Sequence, residues 1–269
     1  MSIAARFVHS GLLEALGGYM RAAVGRAEPD AAQVCVATWF RGDPPAAAVS
    51  PAPLVRWWVG TDVSLLAQGK TAAPARDAAH NWAVSPWLVD ELGRLDVAAR
   101  MMPILPTWEA RALPLSAEPI VLAYAPEGRE GQYRWQDILA VAEALPDVQF
   151  RAFRRSAPAA RPNVTCLPLA PHSAMPEEYA RARAILRLTT HDGLSVSVLE
   201  AMCLGRHVVW SHPFPFCHYA TTVDAAATAL RNVLSDVPNH DGVNAFAILR
   251  RHFLCLVPIY LTAALEHSQ

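Results

Sequence analysis

The chain has almost no lysine: of its 23 basic residues only Lys70 is one, and the others are arginines. With 22 prolines and abundant alanine, this skew reflects the codon usage of a GC-rich genome and says little about function. Charge of one sign is lacking too. The 23 basic and 24 acidic residues leave a formal charge of −1, which removes the broad positive field of a dedicated nucleic-acid binder. Any phosphate site must therefore be local. The five cysteines, Cys35, Cys166, Cys203, Cys217 and Cys255, form no CxxC pair and stand at no zinc-ligand spacing from a histidine. They read as buried thiols of a reducing compartment. No apolar run approaches ~18 residues, so no transmembrane helix is predicted. The N-terminal stretch, interrupted by Glu14, Gly17 and Gly18, lacks the layout of a secretory signal. The expectation is a cytoplasmic protein. There is no DxD acid pair of the kind that holds a divalent metal, and no internal repeat.

What is present is apolar residues: 53% are hydrophobic and 17% charged, over 269 residues. That excludes intrinsic disorder and favours a well-buried sheet. The length allows one large domain or two compact ones. In the C-terminal half, short runs rich in Val, Ile, Leu and aromatics at 120–125, 148–153, 164–167, 184–188 and 207–211 predict strands. Helical segments are predicted over 135–145, 176–182, 195–204 and 223–234. Strands alternating with helices imply a parallel sheet covered on both faces.

The N-terminal half repeats the theme less clearly. A helix is predicted over 11–24, with strands near 33–40, 55–59, 81–84 and 101–104. Ser85 followed by Pro86 is a helix start, because serine can cap free N–H groups and proline fits the first helical position. Two proline-rich loops, 41–53 and 105–119, break the pattern, the second reading as a domain linker. The apolar stretch 243–264 has helical spacing and is expected to kink at Pro258. The predicted domains are 1–112, 113–240 and a terminal helix over 241–269, which is expected to pack back toward the rest.

The segment 186–211 is the most informative. A strand ends near Leu188, a polar loop holds His191, Asp192 and Gly193, and a helix starts near Ser195 and stops at Gly205. The free N–H groups and positive dipole of a helix start can bind a diphosphate. Glu200, within this helix, is a poor phosphate ligand. It is suited to accept hydrogen bonds from the vicinal hydroxyls of a ribose, although it could equally be a solvated helix residue.

The run Asp192-Gly193-Leu194-Ser195, Leu199-Glu200-Ala201-Met202, Gly205 and Val208-Val209 resembles the donor-site signature of family 4 and related GT-B glycosyltransferases. The resemblance implies two Rossmann-like doubly wound parallel-sheet domains facing a cleft, the N-terminal one reduced. It assigns the ribose to Glu200, the donor sugar to Asp192, and the helix start at Gly193, Leu194 and Ser195 to the diphosphate. Arg129 matches the position of family residues that neutralise that diphosphate, with Arg134 a second candidate. Gly60-Thr61-Asp62 is similar to the family turn that faces the acceptor, and residues 81–85 to the strand leading into the acceptor-side wall. Asp62 reads either as catalytic or as an Asx-type turn residue. Trp57 and Trp58 stand where the family often has a histidine, and the family's glycine-rich first strand and loop is not evident before Gly11.

The resemblance implies a retaining, metal-independent transferase that uses a UDP- or GDP-sugar and needs no cofactor, with a glycan or lipid-linked acceptor and at most peripheral membrane contact. A non-catalytic nucleotide- or glycan-binding subunit, or a nucleotide-sugar epimerase, are the alternatives. His191 reads as a surface hydrogen-bonder, and Arg154 and Arg155 as a solvated edge.

Overall fold

The computed structural model describes residues 4–8, 25–26, 34–38, 53–70, 80–106 and 108–266. These group into two compact units. The first comprises residues 1–107, 191–196 and 249–269; the second comprises 108–190 and 197–248. The predicted helix at 11–24 and all of the 41–53 loop except Pro53 lie outside the described residues.

The first unit holds a six-stranded sheet in the order β2-β1-β3-β4-β5-β6, every pairing parallel. Its strands are β1 (Ala4–Val8), β2 (Gly25–Arg26), β3 (Val34–Thr38), β4 (Leu54–Trp58), β5 (His80–Ala83) and β6 (Arg100–Met101). Strands β1, β2 and helix α1 (Thr61–Ala67) escape the sequence reading. In β1 the run AARFV is short and neither alternates nor is rich in β-branched residues, so only pairing with β2 and β3 shows it as a strand. The helix after β5, α2 (Pro86–Gly93), begins as expected: the Ser85 hydroxyl accepts from the Leu88 N–H and Pro86 occupies the first turn. Trp57, Trp58 and Trp82 are fully buried here, with Trp57 and Trp82 edge to face at 5.6 Å. Trp57 and Trp58, which stand where the resemblance led to a histidine being expected, are thus core.

In the second unit, β7 (Ile120–Tyr124), β8 (Gln149–Phe153), β9 (Val164–Leu167), β10 (Ala184–Arg187), β11 (His207–Trp210) and β12 (His218–Tyr219) form a second all-parallel sheet. Its order is β9-β8-β7-β10-β11-β12. That is the doubly wound dinucleotide-type order, which reverses between β7 and β10 and opens a crevice at their carboxyl ends. Helices α3 (Trp135–Ala144), α4 (Met175–Arg181) and α5 (Val196–Cys203) lie in crossovers between strands, and α6 (Val223–Val233) follows the last strand. Beneath α3 and α6 lies a core that includes Val121, Ile138, Val141, Phe150, Ala184 and Leu230. Strand β12, in the histidine- and proline-rich stretch after β11, is an edge that the sequence reading missed because two residues carry no pattern.

The final helix, α7 (His240–Glu266), is assigned as one continuous element of 27 residues through Pro258. The proline expected to disrupt it does not end it. Among the described residues no helix is long and apolar enough to cross a membrane.

The 108–119 segment has no regular structure but is tied to the second unit. The N–H groups of Arg111 and Leu113 donate to the Cys203 and Leu204 carbonyls. The fully buried Arg206 guanidinium donates to the carbonyls of Leu113, Pro114, Ala182 and Leu204. Burial, then the nearby Arg183 charge, lowers its pKa to about 10, so it stays charged at neutral pH. Arg206→Ala would strip several buried carbonyls of a charged donor and is expected to cost about 3 kcal/mol or more. Urea denaturation followed by far-UV circular dichroism would read this as a lowered midpoint.

Candidate functional site

Parallel strands leave their connecting loops at the carboxyl edge, and at the β7/β10 reversal two such loops meet. The Thr190 N–H donates to the Gln132 carbonyl at 2.9 Å, which stitches the β10 loop to the β7 loop. The β7 loop is built by acidic residues that accept from backbone. Glu127 takes the N–H groups of Ser156 and Ala157, and Glu130 takes that of Gly128, so backbone donors hold both carboxyls below the usual range. Gly128, at φ +78°, makes the turn that presents Arg129 to solvent.

Arg155 anchors the same loop. Its guanidinium reaches the Ala125 carbonyl at 3.0 Å and Glu130 at 3.3 Å, and lies 4.1 Å from the Trp135 ring centroid. It is buried, not part of a solvated edge; only Arg154, at φ +62°, is exposed, and it donates to the Tyr124 hydroxyl. An Arg-Arg dipeptide carries no signal that would separate the two. The second diphosphate candidate, Arg134, is engaged within the fold: it pairs with Asp137 at 2.7 Å and donates to the Thr221 carbonyl. Beside these, Arg187 lies over the rings of Tyr124 and Tyr133 at 5.6 and 5.3 Å. The carboxyl edge of β7, β8 and β10 is consequently rich in guanidinium groups.

The β10 loop runs into α5, which starts one residue later than expected. Leu194 and Ser195, at its entry, are buried. Glu200 is buried as well, and its carboxylate is held from both sides. Oε2 lies 2.9 Å from the Tyr179 hydroxyl of α4, and Oε1 lies 2.7 Å from His172 Nε2 in the 3₁₀ turn before it. Glu200 is therefore not a solvated helix residue. The hydrogen bond to Glu200, with its charge, raises the His172 pKa above the usual histidine value, while burial and that same charge push the Tyr179 hydroxyl well up, so Tyr179 remains a donor. Trp108 stacks on His172 with centroids 5.1 Å apart and meets Tyr179 edge on at 5.8 Å. Neither His172 nor Tyr179 was singled out from the sequence. Only the packing of three separate segments brings them to Glu200.

Residues 191–196 group with the first unit, where they dock on the β4 and β5 loops. The Trp87 indole donates to the Asp192 carbonyl at 2.7 Å, and His191 Nε2 meets Glu91 at 2.8 Å. His191 is thus a half-buried hydrogen-bonding group tied to a carboxylate, in keeping with the hydrogen-bonder expected. A Cβ on Gly193 would stand 2.3 Å from the Val59 oxygen and 2.6 Å from Val84 Cγ2. One on Gly60, at φ +136°, would stand 2.8 Å from the Gly193 nitrogen. Both glycines are required by this backbone-to-backbone approach.

Asp62 lies two residues on, at the start of α1, and is fully buried. Its carboxylate accepts from the N–H groups of Val59, Gly60 and Val63, at 2.7 to 3.1 Å. This is the geometry of a turn-organising aspartate. Asp62 and the Asp192–Gly193 segment are thus brought together through the Gly60 turn, whereas Arg129 and Glu200 are residues of the second unit. Among the described residues no cluster of three or more His, Cys, Asp or Glu side chains could hold a metal ion.

No family model matches the chain, and no curated protein matches its sequence. Its fold does match solved structures. Sucrose-phosphate synthase from Thermosynechococcus elongatus gives a TM-score of 0.63 at 14% identity, over 88% of this chain and 75% of that one. AviGT4, a glycosyltransferase involved in avilamycin A biosynthesis, gives 0.61 at 12% identity over 99% of this chain and 98% of its own. A complex of S. aureus TarM with UDP gives 0.59 at 12% identity over 87% of this chain. This chain spans 54% of TarM, about half its length. The fold is that of GT-B glycosyltransferases, and the short length is shared with AviGT4.

Two outcomes follow from the docked loop. Gly193→Ala forces the Val59 peptide to move and is expected to cost on the order of 2 kcal/mol, read as a lower melting temperature. Burial, against the backbone donors, raises the Asp62 carboxyl to about 6. Between its ordinary value of 3.8 and about 6 the folded state binds the extra proton, so this group's contribution to stability falls as pH rises through that window and is level above it. Comparing urea midpoints of the wild type and Asp62→Asn between pH 4 and pH 7 should show that slope only in the wild type.

Proposed function

We propose that the protein is a nucleotide-sugar-dependent glycosyltransferase, moving a sugar from a UDP- or GDP-sugar to a hydroxyl of a glycan or lipid-linked acceptor. The observation that carries this reading is Glu200. It is a buried carboxylate in the helix that follows the β10 loop, beside the strand-order reversal where doubly wound sheets take nucleotides. Such a group, acceptor-only when ionised, suits the two hydroxyls of a ribose. The neighbouring backbone N–H groups at Gly193, Leu194 and Ser195 and the guanidinium of Arg129 would then face the diphosphate. That sucrose-phosphate synthase and AviGT4 share the fold supports the assignment.

In this scheme the bond between the anomeric carbon and the β-phosphate oxygen breaks, and the acceptor oxygen bonds to that carbon. The acceptor proton passes to the departing phosphate. Arg129 and the α5 N-terminus stabilise the charge that grows on the leaving group, electrostatic assistance preorganised before reaction. Asp192 holds the donor sugar. The engagement of the Asp62 carboxylate by backbone N–H groups supports a positioning role for it, in shaping the Gly60 turn, over that of a catalytic base. With the departing phosphate as base, no protein nucleophile is required, and the sugar retains its configuration. The absence of a DxD pair from the sequence favours a reaction without a divalent metal.

The same Asp62 geometry favours a second reading, a subunit that binds nucleotide or glycan without turnover, because it leaves the turn expected to face the acceptor without an accessible carboxylate.

Thermal shift and calorimetry with UDP, GDP and ADP, followed by donor hydrolysis, test both. UDP or GDP should stabilise the wild type, and Glu200→Ala should weaken that binding by about tenfold or more, the loss of a charge-assisted hydrogen bond. Equal binding by Glu200→Ala defeats the donor-site reading, and binding without turnover favours the subunit.

A further inference from the structure

Glu200 is already paired before any ligand arrives, and its two partners differ. Tyr179 is buried and holds Oε2 from the interior. His172 holds Oε1, and its side chain is 39% exposed against 6% for Glu200. The oxygen on the solvent side is therefore the one an imidazole occupies. That ring is not loosely placed. Trp108 stacks on it with planes 22° apart, and Trp108 is itself fixed by the Cys203 thiol, which donates to the Trp108 and Glu109 carbonyls.

From this geometry we propose that His172 is a specificity-determining residue, a built-in competitor that holds the outer oxygen of Glu200 until the vicinal diol of a ribose displaces it. The inference rests on the reading of Glu200 as the ribose acceptor. With so little of the carboxylate open, an imidazole and two ribose hydroxyls compete for the same lone pairs. A diol offers two donors against one. A 2′-deoxyribose offers one against one and gains little from the exchange. His172 thereby sharpens the choice of ribonucleotide over deoxyribonucleotide.

The competition depends on protonation. A charged imidazole makes a stronger bond to a carboxylate than a neutral one, and Glu200 favours the charged form. Among the described residues, these groups face the pair. Tyr179 on α4 stays neutral, Arg187 on β10 acts on Tyr179, Trp108 brings an uncharged ring, and Glu178 on α4 is engaged by Arg151 and Arg181. Below the His172 pKa the ion pair resists the diol; above it the nucleotide enters more readily, and affinity levels off.

The test is calorimetry of the full chain with UDP, 2′-deoxy-UDP, GDP and 2′-deoxy-GDP at pH 6 and pH 8. In the wild type, ribonucleotide affinity should rise between the two by about fivefold, the worth of a partly exposed ion pair, with less change for the deoxy forms. Because the terminal phosphate of the ligand titrates at about pH 6 in every variant, the reading is the ratio of ribonucleotide to deoxyribonucleotide affinity, in which that titration cancels. His172→Ala should bind the ribonucleotide at least as tightly as the wild type at pH 6, with no change in the ratio between pH 6 and pH 8. His172→Gln, a neutral donor, should keep the competition but lose the pH dependence of the ratio. Weaker binding by His172→Ala at pH 6, or a pH slope of the ratio that survives in it, overturns the proposal. If Glu200→Ala weakens UDP or GDP while that slope survives in His172→Ala, only the competitor role fails. If Glu200→Ala binds like the wild type, or no nucleotide binds the wild type, the ribose reading fails and the competitor role with it.

Discussion

Parallel pairing is the constraint from which the rest of this structure follows. A parallel strand cannot hairpin back, so each must be followed by a crossover, and helices on both sheet faces bury strands along their whole length. Polar chemistry is then driven to the carboxyl edge, where the loops leave. In the second unit the crossovers change sides between β7 and β10, and the two loops at that point part and are tied by one Thr190–Gln132 hydrogen bond. Arg129 belongs to the first of these loops and Glu200 to the helix that the second one feeds, so strand order places both at this edge of the second unit.

Three buried charges show how the fold meets them. Glu200 is held by Tyr179 and His172, Arg206 by main-chain carbonyls, and Asp62 by main-chain N–H groups. A buried ion is costly unless its lone pairs or protons are met, and each of these is met by groups fixed in the fold. Two of the three partner sets are entirely backbone and cannot leave. Glu200 differs, since its partners are side chains and one of them, His172, has access to solvent, which is the feature on which its proposed role as a ligand acceptor rests.

Legibility in the sequence followed local pattern. In the second unit β7 through β11 and their helices fall within a residue or so of the expected spans, because each is an apolar run bounded by Pro, Gly or polar residues. Ser85-Pro86 announced α2 for a chemical reason, the cap and the fixed φ of proline. Elements without such a signature went unread: β1 is five residues of weak strand propensity, β12 is two residues, and α1 follows a glycine turn that looked like loop. The last helix, expected to kink at Pro258, continues past it as one element.

By itself the sequence determined the α/β class, the parallel alternation and the loop-to-helix motif around Asp192 and Glu200, because these are written in short-range periodicity and in residues close together along the chain. Tertiary structure decided what those residues touch. It made Asp62 a turn organiser, engaged Arg134 with Asp137, buried Arg155 as an anchor of the β7 loop, and brought Trp108, His172 and Tyr179 onto Glu200 from segments far away in sequence. Hydrogen bonds between distant segments have no period to read, since their partners are chosen only when the strand order sets which loops become neighbours.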